Sequence, residues 1–342
     1  GQDRDRRGGA LARALGGRAG RKKHPAHGAR TGADAASVAQ AQSVRPARRA
    51  AGRGLGVFAR GGFPHGGSFH LAAQALVRTS YDDPASTFST NVMGSINLLE
   101  AVRRCESVRA LVYVTSDKCY ENVEWNWGYR EIDQLGGRDP YSASKGAAEL
   151  AIRSHIKSYF PKATSKVRIA SARAGNVIGG GDWAADRIVP DCVKAWSTDN
   201  LVELRNPHST RPWQHVLEPL SGYLRLAQKL SESRDLHGEA FNFGPKESNV
   251  YTVSEIVSRL GKHWGHEDVA NHLELSGEKT MYEASLLSLN CEKAAQELSW
   301  SPRLEIDECL KLVADWYIQF GINPDKLFEL TVEQIKFYES KV

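Results

Sequence analysis

The apolar positions of the chain follow two alternating rhythms. Between Pro84 and Arg104, Phe88, Val92, Ile96, Leu99 and Val102 recur at three- or four-residue steps, which predicts an amphipathic helix. Ala110 to Val114 is instead an unbroken apolar run, the mark of a strand buried on both faces of a parallel sheet. Tyr141 to Phe160 returns to the helical period, with Ala147, Leu150 and Ala151 on its apolar face, and Val167 to Ala172 predicts the next strand. Upstream, Phe69-His70-Leu71-Ala72-Ala73-Gln74 reads as the end of a buried strand passing into a loop. Strand, helix, strand, helix at this pitch predicts an α/β fold built on a doubly wound parallel sheet. After Gly181 the rhythm loosens into short helices and loops, which predicts a smaller C-terminal lobe. Helical spacing recurs over Thr252–Trp264 and Leu304–Phe320. There is no internal repeat, and no stretch approaches a membrane-spanning length of apolar residues.

Composition changes this picture at one end. Residues 1–67 hold 15 Gly, 15 Ala and 12 Arg and no Ile, Glu, Tyr, Trp, Asn, Cys or Met. Their formal charge is +11 (12 Arg and 2 Lys against 3 Asp), so the other 275 residues carry −6 of the total of +5. A basic arm for nucleic acid would need aromatic residues interleaved with its arginines, and only Phe58 and Phe63 occur, both near its end. So few large apolar side chains also fit a tail that cannot offset its ordering entropy. Our reading is a third one: Gly, Ala, Arg and Pro are what a GC-rich coding sequence yields when read out of frame. The expected division is therefore an anomalous segment 1–67, a sheet-forming part 68–178, and a second lobe 179–342. Cys105, Cys119, Cys192, Cys291 and Cys309 form no C-x-x-C pair, which fits a reducing cytoplasm, as does the lack of an apolar secretion signal.

Candidate chemistry lies where the strands end. Ala110–Val114 runs into Thr115-Ser116-Asp117-Lys118, and open α/β sheets place ligands at the carboxyl ends of their strands. The plain alternative is a loop that merely caps the sheet. Further on, Tyr141 and Lys145 stand four apart on one helical face, where a lysine can stabilise a tyrosinate and make it a base. A lone Y-x-x-x-K is common on surfaces; preceded by this strand end, it marks a site.

These segments resemble the extended short-chain dehydrogenase/reductase family, and within it the nucleotide-sugar 4,6-dehydratases. The likeness spans roughly 69–320. It includes Thr90-Asn91-Val92-Met93-Gly94, Asp139-Pro140-Tyr141-Ser142-Ala143-Ser144-Lys145, the run Arg173 to Trp183, and Arg211-Pro212-Trp213-Gln214-His215-Val216. The last two motifs look like the branch acting on CDP-sugars. The resemblance implies a Rossmann-like sheet, NAD as cofactor, and a nucleotide-sugar substrate, CDP-glucose in this branch. It implies oxidation at hexose carbon 4, loss of water across carbons 5 and 6, and reduction at carbon 6. Tyr141 would be the base, Ser116 its hydrogen-bonding partner, and Asp117 the acid for the leaving hydroxyl. Lys118 would be either the base at carbon 5 or a cation beside the developing enolate. Leu71, Ala72, Ala73, Gln74, Thr115, Tyr141 and Lys145 would contact the cofactor, and Asn176 and Arg211 the diphosphate. Trp183 and Trp213 would flank the base or sugar, or pack in the core, and His215 would be structural. His263-Trp264-Gly265-His266 lacks established ligand spacing, so no metal is expected. The helices around Thr90–Arg104 and Tyr141–Phe160, with Leu98 and Ile152 facing outward, would pair in a homo-oligomer. An epimerase of the same fold, or a binding protein without activity, are the alternatives; Asp117 speaks against the first.

The family needs a strand, a Gly-rich turn and a helix to cradle the NAD pyrophosphate. Gly52-Arg53-Gly54-Leu55-Gly56 is Gly-rich, but no apolar strand precedes it and no amphipathic helix follows. The chain is therefore expected to bind NAD poorly, to show no measurable turnover, and to be poorly soluble through a bare strand edge.

Overall fold

A computed structural model describes residues 58–59, 66–246, 250–275 and 286–341. Most of the anomalous segment, including Gly52 to Gly56, lies outside the described residues. The central sheet has five strands in the order β1 (Phe58–Ala59), β2 (Gly67–His70), β3 (Ala110–Val114), β4 (Arg168–Ala174) and β5 (Ala240–Phe243). From β2 to β5 every pairing is parallel, whereas β1 runs antiparallel to β2, with Phe58 opposite His70. The expected bare edge is thus corrected: two residues of the Arg-rich segment pair with it.

Helices cover both faces, as a doubly wound sheet requires. On one face α3 (Gly94–Arg103) and α4 (Pro140–Tyr159) bury Leu98, Leu99, Val102, Ile152 and Ile156 against Leu111, Tyr113 and Ile169. On the other, α6 (Leu217–Glu232) buries Tyr223, Leu226, Ala227 and Leu230 against Val112, Ala170, Ala172, Phe241 and Phe243. Alternate residues of β3 therefore serve opposite faces, which is why the whole run is apolar. Leu98 and Ile152 face the sheet, not outward as expected, and Leu150 of α4 is exposed. The buried stripe of α4 is instead Ala148, Ile152 and Ile156, continued by the polar Ser144, Lys145 and Glu149.

The expected helix Pro84–Arg104 is interrupted. After α1 (Val77–Asp82), α2 (Pro84–Phe88) starts at Pro84 under an Asp83 cap, and a π-helical turn, Ser89–Met93, joins it to α3. After Gly181 the helices expected over Thr252–Trp264 and Leu304–Phe320 are present, and four more join them among the described residues. Together these are α5 (Ile188–Trp196), α6, α7 (Val253–Trp264), α8 (Glu292–Leu298), α9 (Ile306–Ile322) and α10 (Leu327–Ser340). Side chains of α5, α7 and α9, among them Val193, Ile256, Leu260, Leu310 and Val313, form the core of the second lobe. The chain returns from that lobe to the sheet through α6 and β5. Among the described residues no helix is long and apolar enough to cross a membrane.

Candidate active site

The parallel strands end on one rim, and a cleft of about 660 Å³ opens there against the second lobe. Leu71 follows β2, Thr115, Ser116, Asp117 and Lys118 follow β3, and Gly175 and Asn176 follow β4; all line the cleft, with Tyr141 and Arg211. Of the residues expected to form the site, Lys145 lies deeper, and Ala72, Ala73 and Gln74 are half-buried behind the wall. Gln74 instead fixes its own loop. Its amide N–H donates to Asn91 Oδ1 (2.8 Å), Asn91 Nδ2 donates back to the Gln74 carbonyl (3.1 Å), and also to Ser144 Oγ (2.8 Å). Asn91 reaches both partners from the π-helical turn, so that turn holds the loop onto α4.

Tyr141 stands in the first turn of α4, which Asp139 caps by accepting from the Ser142 N–H at 2.9 Å, with Pro140 at its first position. Lys145 Nζ lies 5.8 Å from the Tyr141 ring centre, one helical turn below. Burial pushes the Tyr141 phenol up to about 12, opposed by a hydrogen bond with Ser116 and the Arg187 charge. Burial pulls the Lys145 ammonium down to about 8, opposed by Cys119 and Glu149. His70 falls to about 4, through burial and then Lys145.

Asp117 is almost fully buried. Its Oδ1 accepts from Ser116 Oγ at 2.9 Å, and Oδ2 has no hydrogen-bond partner. Burial raises its pKa against the pull of Lys118, Ser116 and Arg211, which shifts the balance toward the protonated form. A side chain at Gly175 would place Cβ only 2.8 Å from that oxygen, so glycine is what admits the carboxyl here. Arg211 is buried and donates to the Thr210 carbonyl at 2.8 Å, while Asn176 is half-buried at the cleft wall. Trp213 is buried and donates to the Tyr251 carbonyl (3.2 Å), while Trp183 packs edge-on against Tyr317. His215 Nδ1 accepts from the Leu217 N–H (3.3 Å), a structural role.

Two clusters escaped the sequence reading. At the cleft mouth Asp186 accepts from Arg205 (2.8 Å) and pairs with Arg78 of α1 (3.2 Å), while Arg187 pairs with Asp182 (2.8 Å). Under the site, Glu149 receives Thr115 Oγ1 (2.5 Å), Ser171 Oγ (3.0 Å), and Arg173 through Nε (3.0 Å) and Nη2 (2.9 Å). Arg173 Nη1 also donates to the Tyr120 hydroxyl (2.8 Å), which donates to Asn242 Oδ1 (2.7 Å). The signal that could have found Glu149 is its place eight after Tyr141 and four after Lys145 on one helical face. No cluster of three or more metal-ligating side chains occurs among the described residues.

A family described as GDP-mannose 4,6 dehydratase matches residues 68–313. CDP-glucose 4,6-dehydratase of Salmonella typhimurium is 49% identical over 252 residues, 73% of this chain and 69% of that protein. CDP-paratose 2-epimerase of Salmonella typhi is 26% identical over 269 residues, covering 72% and 76%. Among solved structures, dTDP-glucose 4,6-dehydratase from Streptomyces venezuelae with NAD bound superposes at a TM-score of 0.65, with 21% identity over 78% of this chain and 76% of that one. At that identity the superposition speaks for the fold alone. The match over 68–313, with a relative at 49% identity, establishes that the chain belongs to the GDP-mannose 4,6 dehydratase family.

Proposed function

We propose that the chain is an NAD-dependent nucleotide-sugar 4,6-dehydratase, a lyase, and that its substrate is CDP-glucose. The observation that carries this is Asp117: a buried carboxyl shifted toward its protonated form, beside Ser116 and Tyr141 in one cleft. An epimerase needs the tyrosine and lysine but no such acid. The CDP-sugar assignment rests on the 49% identical relative.

The groups at the cleft fit the nicotinamide half of NAD: the Tyr141 phenol with Lys145 one turn below, Thr115 and Leu71, while Ala72, Ala73 and Gln74 stand back from it. The residues that would cradle its pyrophosphate are not among those described. Held there, NAD would supply the hydride acceptor for oxidation at carbon 4 and the hydride for reduction at carbon 6. Tyr141, as phenolate, takes the proton of the 4-hydroxyl, and Ser116 hydrogen-bonds the same oxygen. The resulting ketone acidifies the hydrogen on carbon 5. Lys118 acts there, as base or as a cation beside the enolate, while Asp117 gives its proton to the 6-hydroxyl, which leaves as water. Asn176 and Arg211 bind the diphosphate.

Residues 68–178 make up the cofactor side and 179–342 mainly the sugar-nucleotide side. The five free cysteines support a reducing, cytoplasmic setting. The α3–α4 layer supports pairing with a second copy; the exposed large apolar residues there are Leu150 and Tyr159 of α4 and Met93 of the π-helical turn before α3, and light scattering of L150E against the parent tests it. The function is tested by incubating the chain with CDP-glucose and millimolar NAD. At this NAD concentration, which offsets a weak cofactor site, loss of one water from the substrate, seen by mass spectrometry, is expected in place of the absent turnover anticipated from the sequence; an isomer of unchanged mass would overturn the reading in favour of an epimerase.

A further inference from the structure

The four-way contact of Glu149 is unusual in what it joins. Its carboxylate belongs to α4, the helix that carries Tyr141 and Lys145. Its partners belong to the end of β3, where Thr115 immediately precedes Ser116 and Asp117, and to β4, through Ser171 and Arg173. Arg173 extends the connection to Tyr120, just beyond the turn that carries Asp117 and Lys118. Glu149 and Arg173 are both about 4% exposed, so the pair is not a surface ornament. An ion pair this deep stabilises little compared with apolar packing, and its retention asks for another role.

Charge supplies the second half of the argument. Lys145 is met by the Cys119 thiol from the turn after β3, by the His70 ring from β2, and by Tyr141 and Glu149 on its own helix. Burial keeps the thiol and the phenol protonated, and burial and then Lys145 keep the imidazole neutral. Burial opposes the Glu149 charge, but Arg173 and the hydroxyls of Thr115 and Ser171 hold that carboxylate ionised. Of the groups facing Lys145, Glu149 is the one with a negative charge at neutral pH.

We infer that Glu149, held by Arg173, is a positioning residue for the dehydratase reaction: it locks the Tyr141–Lys145 helix to the Ser116–Asp117 strand end and supplies the counter-charge that keeps Lys145 protonated. This rests on the proposed dehydratase reading for its kinetic half only. Neutralising Glu149 lowers the pH at which Lys145 loses its proton, so the variant fails first at alkaline pH and recovers toward acid.

The test uses the full chain and three variants: E149Q, E149Q/R173M, and the conservative E149D. The double variant guards against misfolding, because E149Q alone leaves a buried guanidinium without its carboxylate. Titration of Lys145 by NMR of 13C-labelled lysine, assigned with K145R, needs no turnover. The midpoint is expected to fall by about one unit in E149Q, less in E149Q/R173M, where a neighbouring cation leaves as well, and least in E149D. With CDP-glucose and millimolar NAD, kcat of E149Q/R173M falls tenfold or more, KM changes less than threefold, and the alkaline limb moves down in step with Lys145. A Lys145 midpoint equal to the parent's in E149Q and E149Q/R173M overturns the inference. If the parent itself does not convert CDP-glucose, the substrate reading fails, and the Lys145 titration still decides the charge role.

Discussion

An ionised Asp117 would be buried with one oxygen lacking any hydrogen bond, so the residue we propose as the acid for the leaving hydroxyl also strains the fold when it is charged. The sign follows from linkage. A carboxyl whose folded pKa is raised destabilises the protein above its unfolded pKa of about 3.9, and that penalty fades as pH falls below it. Asp117→Asn should therefore raise Tm near pH 7, by about 2–4 °C for each kcal/mol released, and lose that advantage near pH 3. The same substitution should slow elimination more than oxidation, so a 4-keto-hexose that has kept its 6-hydroxyl accumulates. Rapid-quench mass spectrometry checks this; equal slowing of both steps would remove Asp117 as the acid. Tyr141, held near 12 in the protein alone, needs neighbouring positive charge to act as a base at neutral pH. Tyr141→Phe should lower kcat by roughly a hundred- to ten-thousand-fold, with turnover measured across pH 6–9. Losses of threefold or less would exclude it.

The elements show why some of this was readable in the chain and some was not. Ala110–Val114 was legible because a strand buried on both faces leaves a run no helix pattern mimics. The Ser116-Asp117-Lys118 and Tyr141/Lys145 groups were legible because each is contiguous or one helical turn apart. The buried stripe of α4 was misread because periodicity is judged on apolar residues, and here Ser144, Lys145 and Glu149 fill part of it. Helix α6 went unseen with Pro219 and Gly222 early in its length, although Gly222 is required: a Cβ there would meet the Phe243 ring at 2.3 Å. The Glu149–Arg173 pair spans 24 positions and exists only once β4 lies beside α4. The π-helical turn was likewise invisible, since a single extra residue per turn leaves the apolar spacing almost intact. Its function is open to a direct test. Asn91→Ala removes three hydrogen bonds to Gln74 and Ser144. Each buried group left unpaired costs about 1–3 kcal/mol. Hydrogen exchange of amides 72–76 should rise well above the parent's, with β3 amides unchanged. Unchanged exchange at 72–76 would mean that the turn does not hold that loop.

For the whole molecule, the question is how firmly NAD is held. The residues we propose for the nicotinamide half lie among those described, whereas the sequence before Ser68 carries no recognisable strand, Gly-rich turn and helix motif for the pyrophosphate. Charge-assisted bonds to a diphosphate are worth roughly 1.5–3 kcal/mol each, so lacking three weakens binding by about a thousandfold or more. Calorimetric titration should find a dissociation constant well above micromolar. A micromolar or tighter site would show that the Arg-rich segment builds a nucleotide cradle after all, and that the out-of-frame reading is wrong.

The bridge at the cleft mouth carries a consequence of another kind. Arg78 rises from the sheet side and Asp186 from the opposite lobe, and both side chains are more than 40% exposed, with Asp186 in the left-handed region at φ 64°. Such a contact lies within reach of dissolved ions. At about 1 M salt the screening length shrinks to roughly 3 Å, comparable with the bridge itself. Raising the ionic strength thus weakens a bridge between the two walls of the entrance, an exposed pair worth at most about 1 kcal/mol. Association of a sugar nucleotide should then answer to salt twice, through weaker attraction of its phosphates and through freer passage between the walls. The two responses have opposite signs; Arg78→Gln removes the bridge together with one positive charge that attracts the phosphates.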